Sequence, residues 1–167
     1  IGGADCNASL NLKESLKNNK IKIYNCDSLI WKNYCDKNNI NHLSTEEFSK
    51  SKKKFDLIIS SHQLEHVRDI TEALTNFINH LKKGGYIFIE VPNTNFIYWN
   101  MPILDTPHLY FFTKKSLQNC LEKFELDLIS VQTFGNSYED LLNKKKQNYE
   151  IHRDDGAYLK ALFKKKY

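Results

Sequence analysis

Residues 55–93, FDLIISSHQLEHVRDITEALTNFINHLKKGGYIFIEVPN, decide how this chain is expected to fold. Residues 55–60 (FDLIIS) form a short apolar run, as suits a strand buried on both faces. Asp69 or Thr71 then opens a helix whose apolar positions Ile70, Ala73, Leu74, Phe77, Ile78 and Leu81 recur every three or four residues. Lys82 and Lys83 are expected in its last turn, where cations suit the negative dipole end, and Gly84-Gly85 to stop it. Residues 86–91 (YIFIEV) read as a second strand, ended by Pro92-Asn93.

The same alternation extends outward. Residues 21–26 (IKIYNC) alternate like a strand, Ser28 is placed to cap a helix over 29–37, and the pair Asn38-Asn39 stops it. A short strand at 41–43 is followed by a Lys-rich loop. Downstream, a helix over 113–124 leads to a strand at 126–134, a polar insert, and a last strand at 158–164. Strands alternating with helices of this length predict an α/β fold: a doubly wound, mainly parallel, Rossmann-like sheet covered on both faces. Residues 1–6 (IGGADC) read as the turn leaving a first strand that is missing or truncated, and the absence of an initiator Met points to an upstream segment. The whole of 1–167 is expected to be one domain.

Composition excludes several classes. Hydrophobic residues make up 41% and charged residues 26%, ordinary values for a globular protein. No apolar run is long enough to span a membrane. The net charge of +4 comes almost wholly from Lys, and the Lys runs at 52–54, 144–146 and 164–166 hold no aromatic residue, so a solvated surface is expected rather than a nucleic-acid interface. Cys6, Cys26, Cys35 and Cys120 make no C-x-x-C pair, and four reduced cysteines in a cytoplasmic protein are the expectation.

In doubly wound sheets ligands bind beyond the carboxyl ends of the strands, so the residues just past each strand are the candidates. Gly2, Gly3 and Ala4 allow close approach of backbone to a ligand, or make a plain tight turn. Asp27 ends a strand roughly 20 residues beyond that turn, a spacing at which a carboxylate accepts both hydroxyls of a ribose; the alternative is help in capping the next helix. Ser61, His62 and Gln63 follow the strand at 55–60, and Leu64 and Val67 are spaced to anchor the turn to the core. The string His62-Gln63-Leu64-Glu65-His66 has the H-x-x-E-H order of a metal motif, but it straddles a strand-to-helix turn where the motif needs a helix. No metal is expected there, and His66 is read as structural or functional alike. His108 lies in a loop rich in aromatics (Phe96, Tyr98, Trp99, Tyr110, Phe111, Phe112), where an imidazole is either a general base or a structural group.

Taken together, residues 55–93, HLYFFTKKSLQNCLEKFELDLISVQTFG at 108–135 and IGGADCNASL at 1–10 resemble the class I S-adenosylmethionine-dependent methyltransferases, nearest to members that methylate sugars or polysaccharides. The resemblance implies S-adenosylmethionine as methyl donor and S-adenosylhomocysteine as product. It sets Gly2, Ala4 and Cys6 at the three glycine positions of the first motif, Asp27 on the ribose, and Ser61, His62 and Gln63 beside the methionine and sulfonium. In the sugar C-methyltransferases a His before a similar aromatic run acts as base, and His108 stands at that position. The Tyr and Glu that accompany it there are replaced by Asp105, Thr106 and Pro107, so transfer to a hydroxyl of a small or carbohydrate-type acceptor is expected instead. A methyltransferase-like binding domain without catalysis is the alternative; an NAD-dependent oxidoreductase would need an intact G-x-G-x-x-G turn that this chain lacks.

Overall fold

The computed structural model describes residues 7–16, 21–99, 107–146, 148 and 152–167. The chain divides into two compact units, Ile1–Lys53 and Lys54–Tyr167.

In the first unit, helix α1 (Asn7–Leu16) precedes strand β1 (Tyr24–Cys26), a 3-10 turn at Leu29–Trp31, helix α2 (Lys32–Lys37), strand β2 (Asn41–Leu43) and helix α3 (Thr45–Lys50). β1 and β2 pair in parallel, with Tyr24, Asn25 and Cys26 opposite Asn41, His42 and Leu43. The strand expected from 21 starts only at Tyr24, and the helix expected over 29–37 is split into a 3-10 turn and α2. Asn39, at φ +54°, ends α2 in the left-handed region that Asn tolerates better than most residues. Cys35 and Ile40 form a small core with Leu10 against it. The stretch expected as a loop after β2 contains α3. Ser44 accepts from the Glu47 N–H while the Glu47 carboxylate accepts from the Ser44 N–H, a reciprocal capping box. Cys26 and Cys120 are free thiols but Cys35 is disulfide-bonded, against the expectation of four reduced cysteines.

The second unit contains β3 (Phe55–Ser61), a 3-10 turn at Leu64–His66, α4 (Ile70–His80), β4 (Leu81–Pro92), α5 (Phe96–Trp99), α6 (Lys114–Leu121), β5 (Leu126–Ser137), α7 (Tyr138–Leu142) and β6 (Gly156–Lys165). Its sheet runs β3-β4-β6-β5. β3 and β4 are parallel, whereas β6 is antiparallel to both its neighbours. The sheet is therefore mixed, the final strand slotting between β4 and β5. Ile87, Ile89, Val91, Leu159 and Phe163 are buried at its centre, joined by Leu74 and Phe77 of α4 and by Leu117 and Leu121 of α6. β3 is not buried on both faces as its apolar run suggests, since Leu57 is 44% exposed.

α4 begins as its sequence implies. The Asp69 carboxylate accepts from the N–H groups of Thr71 and Glu72 at 2.8 and 3.0 Å, filling two of the orphan donors of the first turn. Its end differs. The helix stops at His80, and Lys82 and Lys83 lie in the extended backbone of β4. Lys82 instead grips both oxygens of Asp56 at 2.9 Å. The cations at the helix terminus come from elsewhere: Lys165 donates to the Ile78 and Leu81 carbonyls, and Lys54 to that of Asn79. No described helix is long and apolar enough to cross a membrane.

Candidate functional site

In the second unit, β3 and β4 end side by side, and the turn leaving β3 carries most of the polar groups of the region. His62 takes φ +49°, and its N–H donates to the Glu90 carbonyl of β4 at 2.9 Å, turning the chain sharply away from the sheet. A left-handed residue that is not Gly is uncommon, and such residues gather at functional turns. The 3-10 turn then buries Leu64 completely and leaves Glu65 1% exposed. Leu64 is thus the anchor its spacing suggests.

Three charged groups meet here. His62 Nδ1 lies 3.3 Å from Glu65 Oε1, and its Nε2 lies 3.3 Å from Glu90 Oε1. The two carboxylates push the His62 imidazole up to about 9, so it is a cation at neutral pH although its ring is 41% exposed. The Ser61 hydroxyl donates to Glu90 Oε1 at 3.3 Å. The ring of His62 also meets Tyr158 of β6 edge-on, with centroids 5.5 Å apart.

The segment 107–113 is fastened to this turn by backbone. The N–H groups of Leu109 and Tyr110 both donate to the Glu65 carbonyl, at 2.7 and 3.1 Å. The Tyr110 hydroxyl donates to the Arg68 carbonyl at 3.2 Å, and the N–H and hydroxyl of Thr94 both donate to the Phe112 carbonyl. These bonds set the His108 ring 4.7 Å from that of His66. His108 Nδ1 is 3.3 Å from the Tyr98 hydroxyl, and burial holds this imidazole below its ordinary value. Trp99 and Phe111, whose rings lie 4.9 Å apart, flank the cluster and expose apolar surface.

The sequence candidates fall out as follows. Ser61, His62 and Gln63 sit together at the end of β3, and Gln63 Oε1 is buried without a hydrogen-bond partner. His108 is held next to the same turn. Asp27 follows β1 in the first unit, where its N–H donates to the Leu43 carbonyl and its Oδ1 accepts from the Ser28 N–H at 2.6 Å. Ser28, expected to cap the next helix, makes no side-chain cap bond. Gly2, Gly3, Ala4, Cys6, Asp105 and Thr106 lie outside the described residues. Sequence reasoning weighed Glu65 only within a metal motif that it set aside, and took neither Glu90 nor Tyr98 as a site residue. The signal for the first two was a carboxylate set in an apolar stretch, L-E-H-V and I-F-I-E-V.

Residues 3–131, spanning well over half of the chain, match the family model of a methyltransferase domain. The chain belongs to that family. Membership brings S-adenosylmethionine as methyl donor and S-adenosylhomocysteine as product. No curated protein sequence matches the chain significantly. Solved structures agree on the fold. A methyltransferase from Thermotoga maritima, described as a possible histamine N-methyltransferase, superimposes with a TM-score of 0.73 at 20% identity, over 99% of this chain and 80% of that one. An S-adenosylmethionine-dependent methyltransferase from Archaeoglobus fulgidus gives 0.65 at 17% identity, over 94% and 80%. The [4+2]-cyclase SpnF gives 0.68 at 13% identity, over 99% and 72%. A cyclase among these neighbours shows that the fold alone does not select the reaction.

Proposed function

We propose that this methyltransferase domain moves a methyl group from S-adenosylmethionine to a hydroxyl of a small acceptor, carbohydrate-type compounds included, and that His108 takes the hydroxyl proton. The observation that carries the reading is the tie between His108 and the end of β3: two backbone hydrogen bonds onto the Glu65 carbonyl hold the loop, and the Tyr98 hydroxyl orients the ring. The donor supplies an activated methyl group, so the protein's own tasks are alignment and proton removal. Alignment of this kind is worth roughly 7–11 kcal/mol in good cases.

The residues at the end of β3 suit the donor. Gln63 Oε1 is a buried acceptor with no donor pointed at it, a match for an ammonium group. Glu65 and Glu90 face the one imidazolium of His62 across this turn. We assign Ser61 and His62 to the same part of the donor. Asp27 is assigned to the ribose hydroxyls, its carboxylate oriented by the Ser28 N–H, and Gly2, Gly3 and Ala4 to the close backbone approach. The family match crosses both units, which supports reading 1–167 as one methyltransferase domain.

Calorimetry with S-adenosylhomocysteine and transfer of labelled methyl groups to a panel of hydroxyl and amine compounds test the reading. Binding is expected for the wild-type chain and weakening for Asp27→Ala. His108→Ala should lower turnover by about 10²–10⁴-fold while leaving affinity for S-adenosylhomocysteine unchanged. No heat at millimolar ligand would overturn the enzyme in favour of an inactive binding domain, and full turnover of His108→Ala would remove His108 from the reaction.

A further inference from the structure

We propose that Glu65, His66 and His108 form a site for one divalent transition-metal ion, of the two-histidine, one-carboxylate kind. One donor atom from each residue lies within 4.8 Å of the other two. Donors bound to a common ion at about 2.0–2.2 Å sit roughly 3–3.5 Å apart, so side-chain rotations of little more than 1 Å would close the set.

A second observation points to a ligand independently. Glu65 is almost wholly buried, yet its Oε2 makes no hydrogen bond. A buried carboxylate oxygen without a partner is destabilising, and native structures leave few such groups unexplained. The His62 ring faces Oε1, which leaves Oε2 as the oxygen open to a cation.

The remaining hydrogen bonds leave the right atoms available. His66 Nδ1 is 3.4 Å from the Pro107 carbonyl oxygen. A carbonyl only accepts, so Nδ1 is the donor there and Nε2 is the nitrogen left for a ligand. That Nε2 stands 3.8 Å from Glu65 Oε1, too far for a hydrogen bond. His108 Nδ1 is engaged by the Tyr98 hydroxyl. Both imidazoles thus have one nitrogen held by an outer partner and the other turned elsewhere, the arrangement that orients metal-binding histidines. The N–H groups of Leu109 and Tyr110 on the Glu65 carbonyl fix the two contributing segments in one frame.

Two imidazoles and one carboxylate select zinc, manganese, iron, cobalt or nickel over calcium and magnesium, which prefer oxygen. The H-x-x-E-H string does supply ligands, but not in the way its order suggests. Its second His and its Glu are used with His108 from a distant loop, while the first His, His62, pairs with Glu65 and Glu90. Three protein ligands leave room for a hydroxyl oxygen, whose pKa the ion would lower. That catalytic consequence rests on the hydroxyl-acceptor reading; the binding itself does not.

The test is titration of chelator-stripped protein with manganese, followed by electron paramagnetic resonance, and with zinc, followed by calorimetry. One equivalent is expected per chain. His66→Gln and His108→Ala, both at partly exposed positions and checked for fold by circular dichroism, should weaken binding at least 10-fold. Tyr98→Phe should weaken it by about 10-fold through the outer partner, and His152→Ala should leave it unchanged. Absence of binding at micromolar metal, or stoichiometry and affinity untouched in both His66→Gln and His108→Ala, would overturn the site. Calorimetry with S-adenosylhomocysteine on the same samples separates the two proposals: donor binding without metal binding sinks this inference alone.

Discussion

Leu64→Ala isolates what holds the polar turn in place. Leu64 is fully buried directly before Glu65, and its side chain is the apolar weight that keeps the turn against the core. Truncation removes three carbons from a closely packed site and leaves a cavity, costing about 2–5 kcal/mol. Taking ~3 kcal/mol and about 2–4 °C per kcal/mol for a chain of this size, the melting temperature should fall by roughly 6–12 °C. Because Glu65 and His66 ride on the same turn, and the 107–113 segment hangs from the Glu65 carbonyl, manganese affinity should fall together with stability. Leu64→Met keeps the volume and should cost less than about 1.5 kcal/mol while preserving metal binding. The assay is urea unfolding, read as a shift in midpoint at constant slope, alongside the metal titration. A loss below about 1 kcal/mol, or intact manganese affinity in a destabilised Leu64→Ala, would refute the claim that burial of this one side chain positions the site.

Other perturbations follow from particular contacts. A Cβ on Gly156 would sit 2.4 Å from the Phe134 carbonyl oxygen and 2.6 Å from its carbon, so Gly156→Ala must shift the β5–β6 ladder and should cost about 1–3 kcal/mol in urea unfolding. The Asp140 carboxyl is held below its ordinary value, first by Lys145 at 2.6 Å and also by Ser137 and Arg153. A depressed carboxyl contributes stability that is present above its unfolded value of about 3.9 and lost as pH falls through the lower folded value. Asp140→Asn should therefore flatten the acid limb of a stability–pH curve measured by thermal unfolding. Burial pushes the Cys26 thiol up to about 11. Against an ordinary value of 9.0, its thiolate population near neutral pH falls ~100-fold, so timed iodoacetamide labelling read by mass spectrometry should modify it at least ~30-fold more slowly than a free cysteine.

The legible parts of the fold were those set by local chemistry. Apolar periodicity at Leu74, Phe77 and Ile78 located α4, and the Asp69 carboxylate opened it. The S-x-x-E box that starts α3 was equally local, but the Lys run just beyond it drew the segment toward a loop reading. What sequence periodicity cannot carry is partner choice across the chain. Lys82 looked like a helix-terminal cation, and the cations that do serve the end of α4 are Lys54 and Lys165, 26 residues before and 85 residues after His80. Strand direction is likewise tertiary: nothing in residues 158–164 says that β6 enters antiparallel between β4 and β5. At the candidate site, the strand-end rule singled out Ser61, His62, Gln63 and His108, which the structure places around one turn. The placement of Glu65 follows the left-handed turn at His62, for which an ordinary His gives no local sign.

That turn also links the two proposals through a single lone pair. His108 has one nitrogen held by Tyr98, so the other can accept a proton or bind a cation, but not both at once. In the proposed reaction the metal-free ring would act directly, burial holding its imidazole below the ordinary value. With a cation bound by Glu65, His66 and His108, the ion would lower the pKa of a hydroxyl placed on it, whose proton would leave to solvent, and the buried Glu65 Oε2 would gain the partner it lacks. The same three side chains would then activate a hydroxyl by either route. The routes separate under one comparison: if the ion takes over, adding manganese raises methyl transfer in the wild-type chain, and His108→Ala loses that increase along with the metal.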